Sequence, residues 1–311
     1  MGKIRTDMLE GVWSAAPTPF TDRMEIDAGS VARMVEHHVL EGVKGLFLAG
    51  SNGEGPWLTR ARRQRLVEEV VKRNRGRMAI AVQVTENSAA QILENVDMVK
   101  KAGADIAVLA PPFFLFNGTP ENVRSLYLTV IRESPLPMGI YDRGSGGAVS
   151  VPDSILKDLY AEKNVVMVKD SSCSPARRTI ALAARRKRPS LRLLSGYEFD
   201  CVDYLQAGYD GLLLGGGVFN GYMAGLIMDA VKAGDVALAQ GLQKRMNRIM
   251  YDVYGGKKIS CWLSGEKKLL VEMGLFRTWK NTLNYPLTDS CKKAIARVVK
   301  NDGDMLFPWK E

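Results

Sequence analysis

Short apolar segments alternate along the chain with longer segments of helical periodicity. In the longer segments apolar residues recur every three or four positions, as in residues 30–43 and 88–103, which is typical of helices that bury one face. Eight short segments have the length and composition of buried strands. They are GVWSAAPT, GLFLAGS, MAIAVQVT, IAVLAPP, MGIYD, VVMVKD, LRLLSG and GLLLGGG.

Local signals mark where several helices begin and end. Thr119 followed by Pro120, and Ser174 followed by Pro175, are typical of an N-cap and a first helical residue, and glycines follow several helical segments. Strands that alternate with helices predict parallel pairing. Eight such units over about 230 residues predict an eight-stranded β/α barrel. The alternative is an open doubly wound sheet, which is disfavoured because no G-x-G-x-x-G follows the first strand.

The strand pattern stops near residue 233. Three further helices are predicted in DVALAQGLQKRMNRIMYDVY, CWLSGEKKLLVEMG and DSCKKAIARVVK. We therefore expect a barrel over residues 1–233 and a C-terminal extension of three helices over residues 234–311. The extension is expected to pack against the barrel or against a neighbouring subunit.

Composition is ordinary for a globular protein, with 46% apolar residues among 311. No apolar run approaches the roughly 20 residues that a membrane helix needs, and the first residues lack the apolar core of a secretion signal. The four cysteines are scattered without paired spacing. These features predict a cytoplasmic protein without a zinc ribbon, a disulfide framework or a membrane partner.

The formal net charge of +9 comes largely from basic clusters in TRARRQRL, VKRNRGR and ARRKRP. The first two border a helical segment whose apolar stripe includes Leu66, Val67, Val70 and Val71, so a solvated helix face is the favoured interpretation. Acidic ligands or nucleic acid are the alternative. Because no basic stripe is interleaved with aromatic residues, we expect no nucleic-acid partner.

A barrel enzyme carries its active site at the carboxyl ends of the strands. Here those ends are rich in hydroxyls and glycines, with Lys169 as the lysine among them and no histidine. The two histidines, His37 and His38, are adjacent in the first helix and are expected to be structural or surface residues. A histidine-ligated zinc site and a Ser-His-Asp triad are therefore disfavoured, and no cofactor or metal is predicted.

Lys169 follows directly on the apolar run of residues 165–168. A charge at the end of a buried strand costs free energy unless it is paired or neutral. An apolar pocket lowers the pKa of a lysine, and the neutral amine attacks carbonyl carbon to form a Schiff base. The alternative is that Lys169 pairs with Asp170 or with another carboxylate at the barrel mouth. The residues alone leave both interpretations open.

Several motifs, in the same order along the chain, resemble the dihydrodipicolinate synthase and N-acetylneuraminate lyase family of Schiff-base aldolases. The resemblance covers nearly the whole chain and is specific for the family, but not for the substrate. The motifs are GVWSAAPTPF, GSNGE, VLAPPFF, GIYD, VVMVKDSS and, near the C-terminus, EKKLLVEMGL followed by Arg277, Tyr285, Pro286 and Leu287.

This resemblance implies roles for individual residues. Lys169 would form the imine with a 2-oxo acid, usually pyruvate or its adduct. Tyr141 would be the acid and base that moves protons at the carbinolamine and the aldol hydroxyl, with Ser51 supplying a hydroxyl to the relay. Backbone N–H groups near Ser51 and Asn52 would hold the substrate carboxylate, as an anion-binding nest. The alternative for Tyr141 is a core aromatic whose hydroxyl finds a structural partner.

Two departures from the family pattern bear on the substrate. The synthase branch delivers a second tyrosine across a subunit contact, whereas Phe114 stands at that position here. The arginine that grips a dicarboxylate in that branch falls near Gly146, and Arg143 comes too early. We therefore expect that the protein does not make a lysine-pathway intermediate.

The segment SGYEFD instead resembles the lyase branch, in which the corresponding residues hold sugar hydroxyls. Glu198 is expected to accept hydrogen bonds from substrate hydroxyls, with Gly196 and Gly215 also at the substrate site.

These observations predict a metal-independent lyase that cleaves a 2-oxo-3-deoxy sugar acid, reversibly, into pyruvate and an aldehyde. One alternative is a synthase-type condensation or a dehydration through the same imine. The other is a catalytically silent barrel that binds a small molecule. The resemblance further implies a homotetramer built as a dimer of dimers.

Overall fold

The computed structural model describes residues 6–115, 118–147 and 149–307. Eight parallel strands pair in chain order, and the eighth pairs with the first, so the sheet closes into a barrel. The predicted β/α barrel is confirmed, and the open doubly wound sheet is wrong. The strands are β1 (Gly11–Ser14), β2 (Gly45–Leu48), β3 (Ala79–Gln83), β4 (Ile106–Leu109), β5 (Met138–Asp142), β6 (Val165–Asp170), β7 (Arg192–Ser195) and β8 (Gly211–Leu214).

A helix follows each strand and packs on the outside of the barrel. Thr119 and Ser174 cap two of these helices as predicted, since their hydroxyls accept hydrogen bonds from the first-turn N–H groups of Asn122 and Arg177. The helices are α1 (Ala28–Leu40), α2 (Arg60–Asn74), α3 (Ala89–Lys101), α4 (Pro120–Glu133), α5 (Asp153–Ala161), α6 (Pro175–Lys187), α7 (Cys201–Gln206) and α8 (Gly217–Lys232). Short 3₁₀ turns span Thr6–Leu9, Gly55–Trp57 and Glu198–Asp200.

The C-terminal extension contains the three predicted helices and a short fourth one that the pattern did not indicate. It consists of α9 (Val236–Tyr254), α10 (Trp262–Glu272), α11 (Asp289–Asn301) and α12 (Gly303–Leu306). Helix α9 packs on α8, α10 and α11 pack on α9, and α12 returns to α8. The domain boundary at residue 233 stays a prediction.

Two apolar cores lie on opposite sides of the sheet. The larger core fills the space between strands and helices, whereas the smaller core fills the barrel interior. Trp13 occupies the interior beside Gly45, where any Cβ would collide with its indole ring. The interior residues are Leu9, Trp13, Ala15, Phe47, Ala79, Ala81, Ile106, Val108, Ala110, Tyr141, Met167, Leu194 and Leu213.

Most of the basic side chains on α2 form ion pairs at the surface, as a solvated helix face predicts. Arg62 pairs with Glu25, and Arg65 pairs with Glu69. Arg63 also pairs with Glu86, but its guanidinium is buried and donates to the backbone carbonyl of Gly55 as well. In the described ranges, no helix is both long enough and apolar enough to cross a membrane.

Both histidines are buried between α1, β1 and α8 and have structural roles. His37 Nε2 lies 2.9 Å from the carbonyl oxygen of Val218, and His38 Nε2 lies 2.9 Å from Ser14 Oγ. Burial, together with the neighbouring His37, lowers the pKa of His38 to about 3. His38 is therefore a neutral packing residue at physiological pH.

Candidate active site

Lys169 and Tyr141 lie side by side inside the barrel, because β5 and β6 pair them in register. Lys169 is only 6% exposed, and its Nζ lies 4.5 Å from the ring centre of Tyr141 and 5.0 Å from that of Phe47. Asp170 faces the opposite side of the sheet, where it accepts a 2.5 Å hydrogen bond from the Tyr209 hydroxyl. Within the described chain no carboxylate forms an ion pair with Lys169, so the pairing alternative is not what the structure shows.

The surroundings of Lys169 favour its neutral form. Burial lowers the pKa of the ammonium, and the positive charge of Arg143 lowers it further. The negative charges of Tyr141 and Glu198, where present, oppose this, but the net direction is downward. A neutral amine is the nucleophilic form of lysine. The end of β6 therefore carries an amine that lies beside two aromatic rings and forms no ion pair with a described carboxylate.

Tyr141 is buried, and burial alone raises the pKa of its phenol. The positive charge of Lys169, when it is protonated, and that of Arg143 lower that pKa, as do hydrogen bonds from the Ser51 and Ser171 hydroxyls to the phenolate. The net pKa of Tyr141 lies below its ordinary value. The phenol is thus able to release a proton in a site where two hydroxyls and an amine stand next to it.

The loop of residues 50–54 after β2 forms a backbone site for an anion. Left-handed backbone conformations at Ala49 (φ 53°) and Glu54 (φ 58°) bend the chain on either side of it. Within the described residues, the N–H groups of Ser51 and Asn52 donate to no protein acceptor. Adjacent free N–H groups in such a bend bind carboxylates, and this geometry suits the role expected for them.

The Asn52 side chain turns away from the pocket and braces the barrel mouth. Its Nδ2 lies 2.8 Å from the carbonyl oxygen of Ala15, 3.1 Å from that of Gly215 and 2.9 Å from Glu266 Oε1. An amide has only two hydrogens for these three acceptors, so they share them. Asn52 can therefore contribute to ligand binding through its backbone, while its side chain holds the ends of β1 and β8.

Glu54 anchors the same loop to the C-terminal extension through a fully buried ion pair with Lys267 of α10. Its second oxygen accepts hydrogen bonds from the backbone N–H and the hydroxyl of Thr282, at 2.6 and 2.7 Å. Lys267 is also buried, over the ring of Phe20. The described residues thus include two buried lysines in different surroundings, since Lys267 is ion-paired and Lys169 is not.

Gly196 makes room for the two polar groups beside the amine. A Cβ at this position would overlap Ser171 Oγ and would lie 3.0 Å from Lys169 Cε. Gly196 therefore leaves the space that the Ser171 hydroxyl and the Lys169 side chain occupy.

Glu198 sits at the mouth near Lys169, with both carboxylate oxygens held by the protein. Gly216 N–H donates to one oxygen at 2.7 Å, and the Tyr254 hydroxyl donates to the other at 3.1 Å. Burial raises the pKa of Glu198, against the opposing effect of these hydrogen bonds and of Lys169. Gly215 lies against the carboxylate, where a Cβ would be 3.3 Å from Oε2. The backbone N–H of Gly215 also stabilises the carboxylate, so three donors lie around its roughly four lone-pair sites.

Phe114, at the position where the synthase branch has a tyrosine, is 64% exposed. Its backbone N–H donates to Asn87 Oδ1 at 3.1 Å. Phe113 beside it is also exposed. Neither side chain belongs to the pocket around Lys169 in a single chain.

Two neighbours of the amine, Ser171 and Arg143, were not among the residues predicted for the site. Ser171 follows Lys169 by two residues and therefore returns to the same face of the strand. Arg143 follows Tyr141 by two residues, directly after the end of the neighbouring strand β5. The alternation of side chains between the two faces of a strand was thus a signal that could have identified both residues as neighbours of the amine.

The described residues contain no group of three histidine, cysteine or acidic side chains arranged to hold a metal ion. The polar groups around the amine are hydroxyls, backbone N–H groups and one carboxylate whose oxygens already accept hydrogen bonds. This set suits proton transfer and anion binding.

Comparison with known proteins agrees with this geometry. The model of the dihydrodipicolinate synthetase family matches residues 8–301. The chain is 27% identical over 295 residues to an N-acetylneuraminate lyase of Salmonella agona, covering 93% of this chain and 92% of the relative. The fold is similar to that of CdNal from Clostridium difficile, solved in complex with mannosamine (TM-score 0.84, 20% identity, 94% of this chain and 98% of that one). It is also similar to YagE, a prophage protein of E. coli K12 solved in complex with pyruvate (TM-score 0.83, 22% identity, 94% of this chain and 97% of that one).

Proposed function

The chain belongs to the dihydrodipicolinate synthetase family, and from that premise we propose that this lyase cleaves a 2-oxo-3-deoxy sugar acid into pyruvate and an aldehyde through an imine on Lys169. The observation that carries the proposal is the buried, unpaired amine of Lys169 beside the phenol of Tyr141. An amine without a carboxylate partner is costly to bury as a cation. Its neutral form is the one that attacks a ketone.

The first step is capture of the substrate carbonyl. The free N–H groups of Ser51 and Asn52 hold the carboxylate of the 2-oxo acid, which places its C2 near Lys169 Nζ. The amine adds to C2 to give a carbinolamine, and the C2–oxygen bond then breaks as the oxygen leaves as water. Tyr141 supplies the proton to that oxygen and is left as a phenolate, which accepts a hydrogen bond from the Ser51 hydroxyl.

The second step breaks the bond between C3 and C4. Tyr141 as phenolate removes the proton from the C4 hydroxyl, and the C4–oxygen bond becomes the carbonyl of the departing aldehyde. The electron pair of the C3–C4 bond moves to C3 and neutralises the iminium as an enamine. Protonation at C3 and addition of water to C2 release pyruvate and restore the free amine.

Glu198 supports a hydroxylated substrate. Its oxygens are held by Gly216, Tyr254 and Gly215, and the acceptor capacity that remains suits a sugar hydroxyl. The name of the Salmonella relative, a lyase of an acidic sugar, supports the same class.

The deciding experiment is reductive trapping. Incubation with pyruvate and borohydride is expected to add one reduced pyruvyl group, located at Lys169 by peptide mass spectrometry. Lys267 is the internal control, because it is equally buried but ion-paired with Glu54, and it is expected to stay unlabelled. An unchanged mass, or a label only on surface lysines, would refute the imine and favour a silent binding barrel.

The identity of the aldehyde is tested by a lyase screen. Candidate 2-oxo-3-deoxy sugar acids and N-acetylneuraminate are incubated with the enzyme, and pyruvate release is measured. Trapping at Lys169 without release from any of them would instead support the second candidate function, condensation or dehydration through the same imine.

We also propose a homotetramer. The exposed aromatic side chains of Trp57, Phe113 and Phe114 follow β2 and β4 at the carboxyl end of the barrel, and large exposed aromatic groups are typical of protein interfaces. Light scattering on the purified protein measures the mass directly, and a monomer at micromolar concentration would overturn this assembly.

A further inference from the structure

We propose that Cys261 and Cys291 form a redox-active thiol pair, which a peroxide oxidises to a disulfide that ties the start of α10 to the start of α11. Both cysteines are free and buried. They lie in the C-terminal extension and outside the site around Lys169, so the pair does not depend on the proposed lyase chemistry. Their spacing in the sequence gave no sign of pairing, and the fold brings them together.

The two side chains meet beside Thr288. Cys261 Sγ lies 3.7 Å from Thr288 Oγ1, and the backbone N–H of Cys291 donates to the same oxygen at 3.2 Å. Gly265 lies one turn after Cys261, and a Cβ at Gly265 would be 3.4 Å from Cys291 Sγ. The two thiols also hydrogen-bond to each other. Cys291 therefore packs against the first turn of α10, with its sulfur beside that of Cys261.

The surroundings favour the thiolate at Cys261 and the thiol at Cys291. Burial raises the pKa of Cys261, but hydrogen bonds from the Thr288 backbone N–H, from the Thr288 and Ser260 hydroxyls and from the Cys291 thiol outweigh it, so the net pKa lies below its ordinary value. Burial and the nearby charge of Cys261 raise the pKa of Cys291 to about 12. Because the thiolate is the nucleophilic form of cysteine, Cys261 is the residue that attacks an oxidant, and Cys291 is its resolving partner.

A cavity of about 640 Å³ between α9 and α11 leads to the pair, and its walls include Cys291, Gly255 and Gly256. Gly255 lies against the other sulfur, because a Cβ there would be 2.8 Å from Cys261 Sγ. Gly256 is exposed, and a Cβ there would meet nothing within 4 Å. A molecule as small as hydrogen peroxide therefore approaches the sulfurs past two residues that have no side chains.

The reaction consumes one peroxide. The Cys261 thiolate attacks one peroxide oxygen, the O–O bond breaks, and the departing hydroxide takes up the proton that Cys261 lost and becomes water. The resulting sulfenic acid is neutral, so the charge that helped to raise the pKa of Cys291 is gone. The Cys291 sulfur then attacks the Cys261 sulfur, the S–O bond breaks, and hydroxide leaves as water with the Cys291 proton. The two sulfurs together lose two electrons to the peroxide, and a dithiol reductant restores both thiols.

The disulfide would close the segment that anchors the loop of residues 50–54. Glu266 and Lys267 contact Asn52 and Glu54, and Thr282 donates to Glu54. All three anchoring residues lie between the two cysteines in the chain. In the reduced protein only noncovalent contacts join the ends of this segment, so oxidation is expected to stabilise the anchor.

The first test is peroxide treatment of the reduced protein. The thiols that remain are alkylated in urea, and the peptides are analysed by mass spectrometry without reduction. The expected product is a peptide pair that joins Cys261 to Cys291, two hydrogens lighter than the reduced peptides together, and it disappears after treatment with a dithiol. Cys201 is the internal control, because it is buried with a pKa raised well above its ordinary value, and it is expected to be alkylated in full.

Two single variants test the order of attack. In Cys291→Ser the sulfenic acid has no resolving thiol, so dimedone is expected to label Cys261. In Cys261→Ser dimedone is expected to leave Cys291 unlabelled. The reverse pattern would overturn the assignment of Cys261 as the attacking thiol.

Urea unfolding measures the effect of the link. In the wild type, oxidation is expected to lower the unfolding equilibrium constant about 100- to 1,000-fold, because the disulfide closes a loop of about thirty residues in the unfolded chain. Cys291→Ser is the matched control, since its methionines meet the same peroxide but it forms no link, and peroxide is expected not to raise its stability.

The thiol pair is overturned if both cysteines are still alkylated after peroxide has oxidised methionines in the same sample. It is also overturned if both stop at the sulfinic acid, or if the link joins either of them to the exposed Cys173. A link between Cys261 and Cys291 without a gain in stability would overturn the proposed effect on the anchor.

Discussion

Replacing Gly196 with alanine tests whether the pocket depends on a space as small as one methyl group. The added Cβ would lie well inside 3.0 Å of Ser171 Oγ and at 3.0 Å from Lys169 Cε. The hydroxyl can move, because Ser171 is only half-buried, but it then leaves the phenol of Tyr141. The lysine stem must also shift by a few tenths of an ångström.

The expected loss follows from this displacement. Moving the Ser171 hydroxyl by roughly 1 Å misplaces one proton-relay group and the amine together, and misplacements of that size cost on the order of 10²-fold in rate. Stability is expected to fall by about 1 kcal/mol, the low end for overpacking, since the displaced group can rotate toward solvent. Catalysis is therefore affected more strongly than folding.

Two assays that do not require the aldehyde measure the effect. Borohydride trapping with pyruvate reports formation of the imine, and exchange of the pyruvate methyl hydrogens in heavy water reports proton transfer through the enamine. Gly225→Ala is the matched control, because a Cβ at this position in α8 meets nothing within 4 Å. It is expected to leave both rates unchanged and to stabilise the helix by about 0.5–1 kcal/mol.

A double mutant identifies the colliding group. In a Ser171→Ala background the hydroxyl is absent, so adding Gly196→Ala is expected to reduce the exchange rate much less than it does in the wild type. Wild-type rates in Gly196→Ala would refute the reasoning. An equal loss in both backgrounds would show that the overlap with Ser171 is not the cause.

The other predictions concern the proton relay, the amine, the buried ion pair and metal independence. Tyr141→Phe removes one hydroxyl and is expected to slow methyl exchange by about 10²–10⁴-fold while borohydride still labels Lys169; near-normal exchange would make Tyr141 a core aromatic only. Because the pKa of Lys169 is lowered, the rate of pyruvate capture is expected to fall as the pH drops through that pKa, with a midpoint below the ordinary 10.5. Arg143→Gln removes a nearby positive charge and is expected to raise the midpoint. A wild-type midpoint at the ordinary value would contradict this. Lys267→Met leaves Glu54 buried without its cation and is expected to destabilise the protein by about 3–5 kcal/mol in urea unfolding; a change below 1 kcal/mol would show that the pair is dispensable. Exhaustive chelation is expected to leave turnover intact, and loss of turnover restored by zinc or magnesium would contradict the metal-free mechanism.

Strand positions were predictable from the sequence because each strand is a compact apolar run that local composition reveals. The meeting of Lys169 and Tyr141 followed from this, since both stand near the ends of consecutive strands and such ends converge in a barrel. The sequence left open whether the lysine pairs with Asp170. Strand alternation settles that question once the register of β6 is known, because neighbouring residues face opposite sides.

Contacts between distant segments and the directions of loop side chains were not predictable. Glu54 and Lys267 are 213 residues apart, and no periodic pattern joins them. The Asn52 amide lies in a turn with left-handed residues on both sides, so its direction depends on backbone angles that composition does not encode. Arg63 belongs to a cluster of arginines, and only packing against the Gly55 carbonyl distinguishes the buried one.

The bridge between Glu54 and Lys267 also has a consequence for the protein during its synthesis. The loop that carries Ser51 and Asn52 leaves the ribosome early, but the lysine and Thr282 that anchor it come more than 200 residues later. At roughly 5–20 residues per second, that interval lasts about 10–40 s. During this interval the nascent chain gains its strands and Lys169, but the loop proposed to bind the substrate carboxylate is not yet anchored. A ribosome-bound chain stalled before residue 267 is thus expected to be inactive, and the enzyme acquires activity only when its C-terminal helices have emerged.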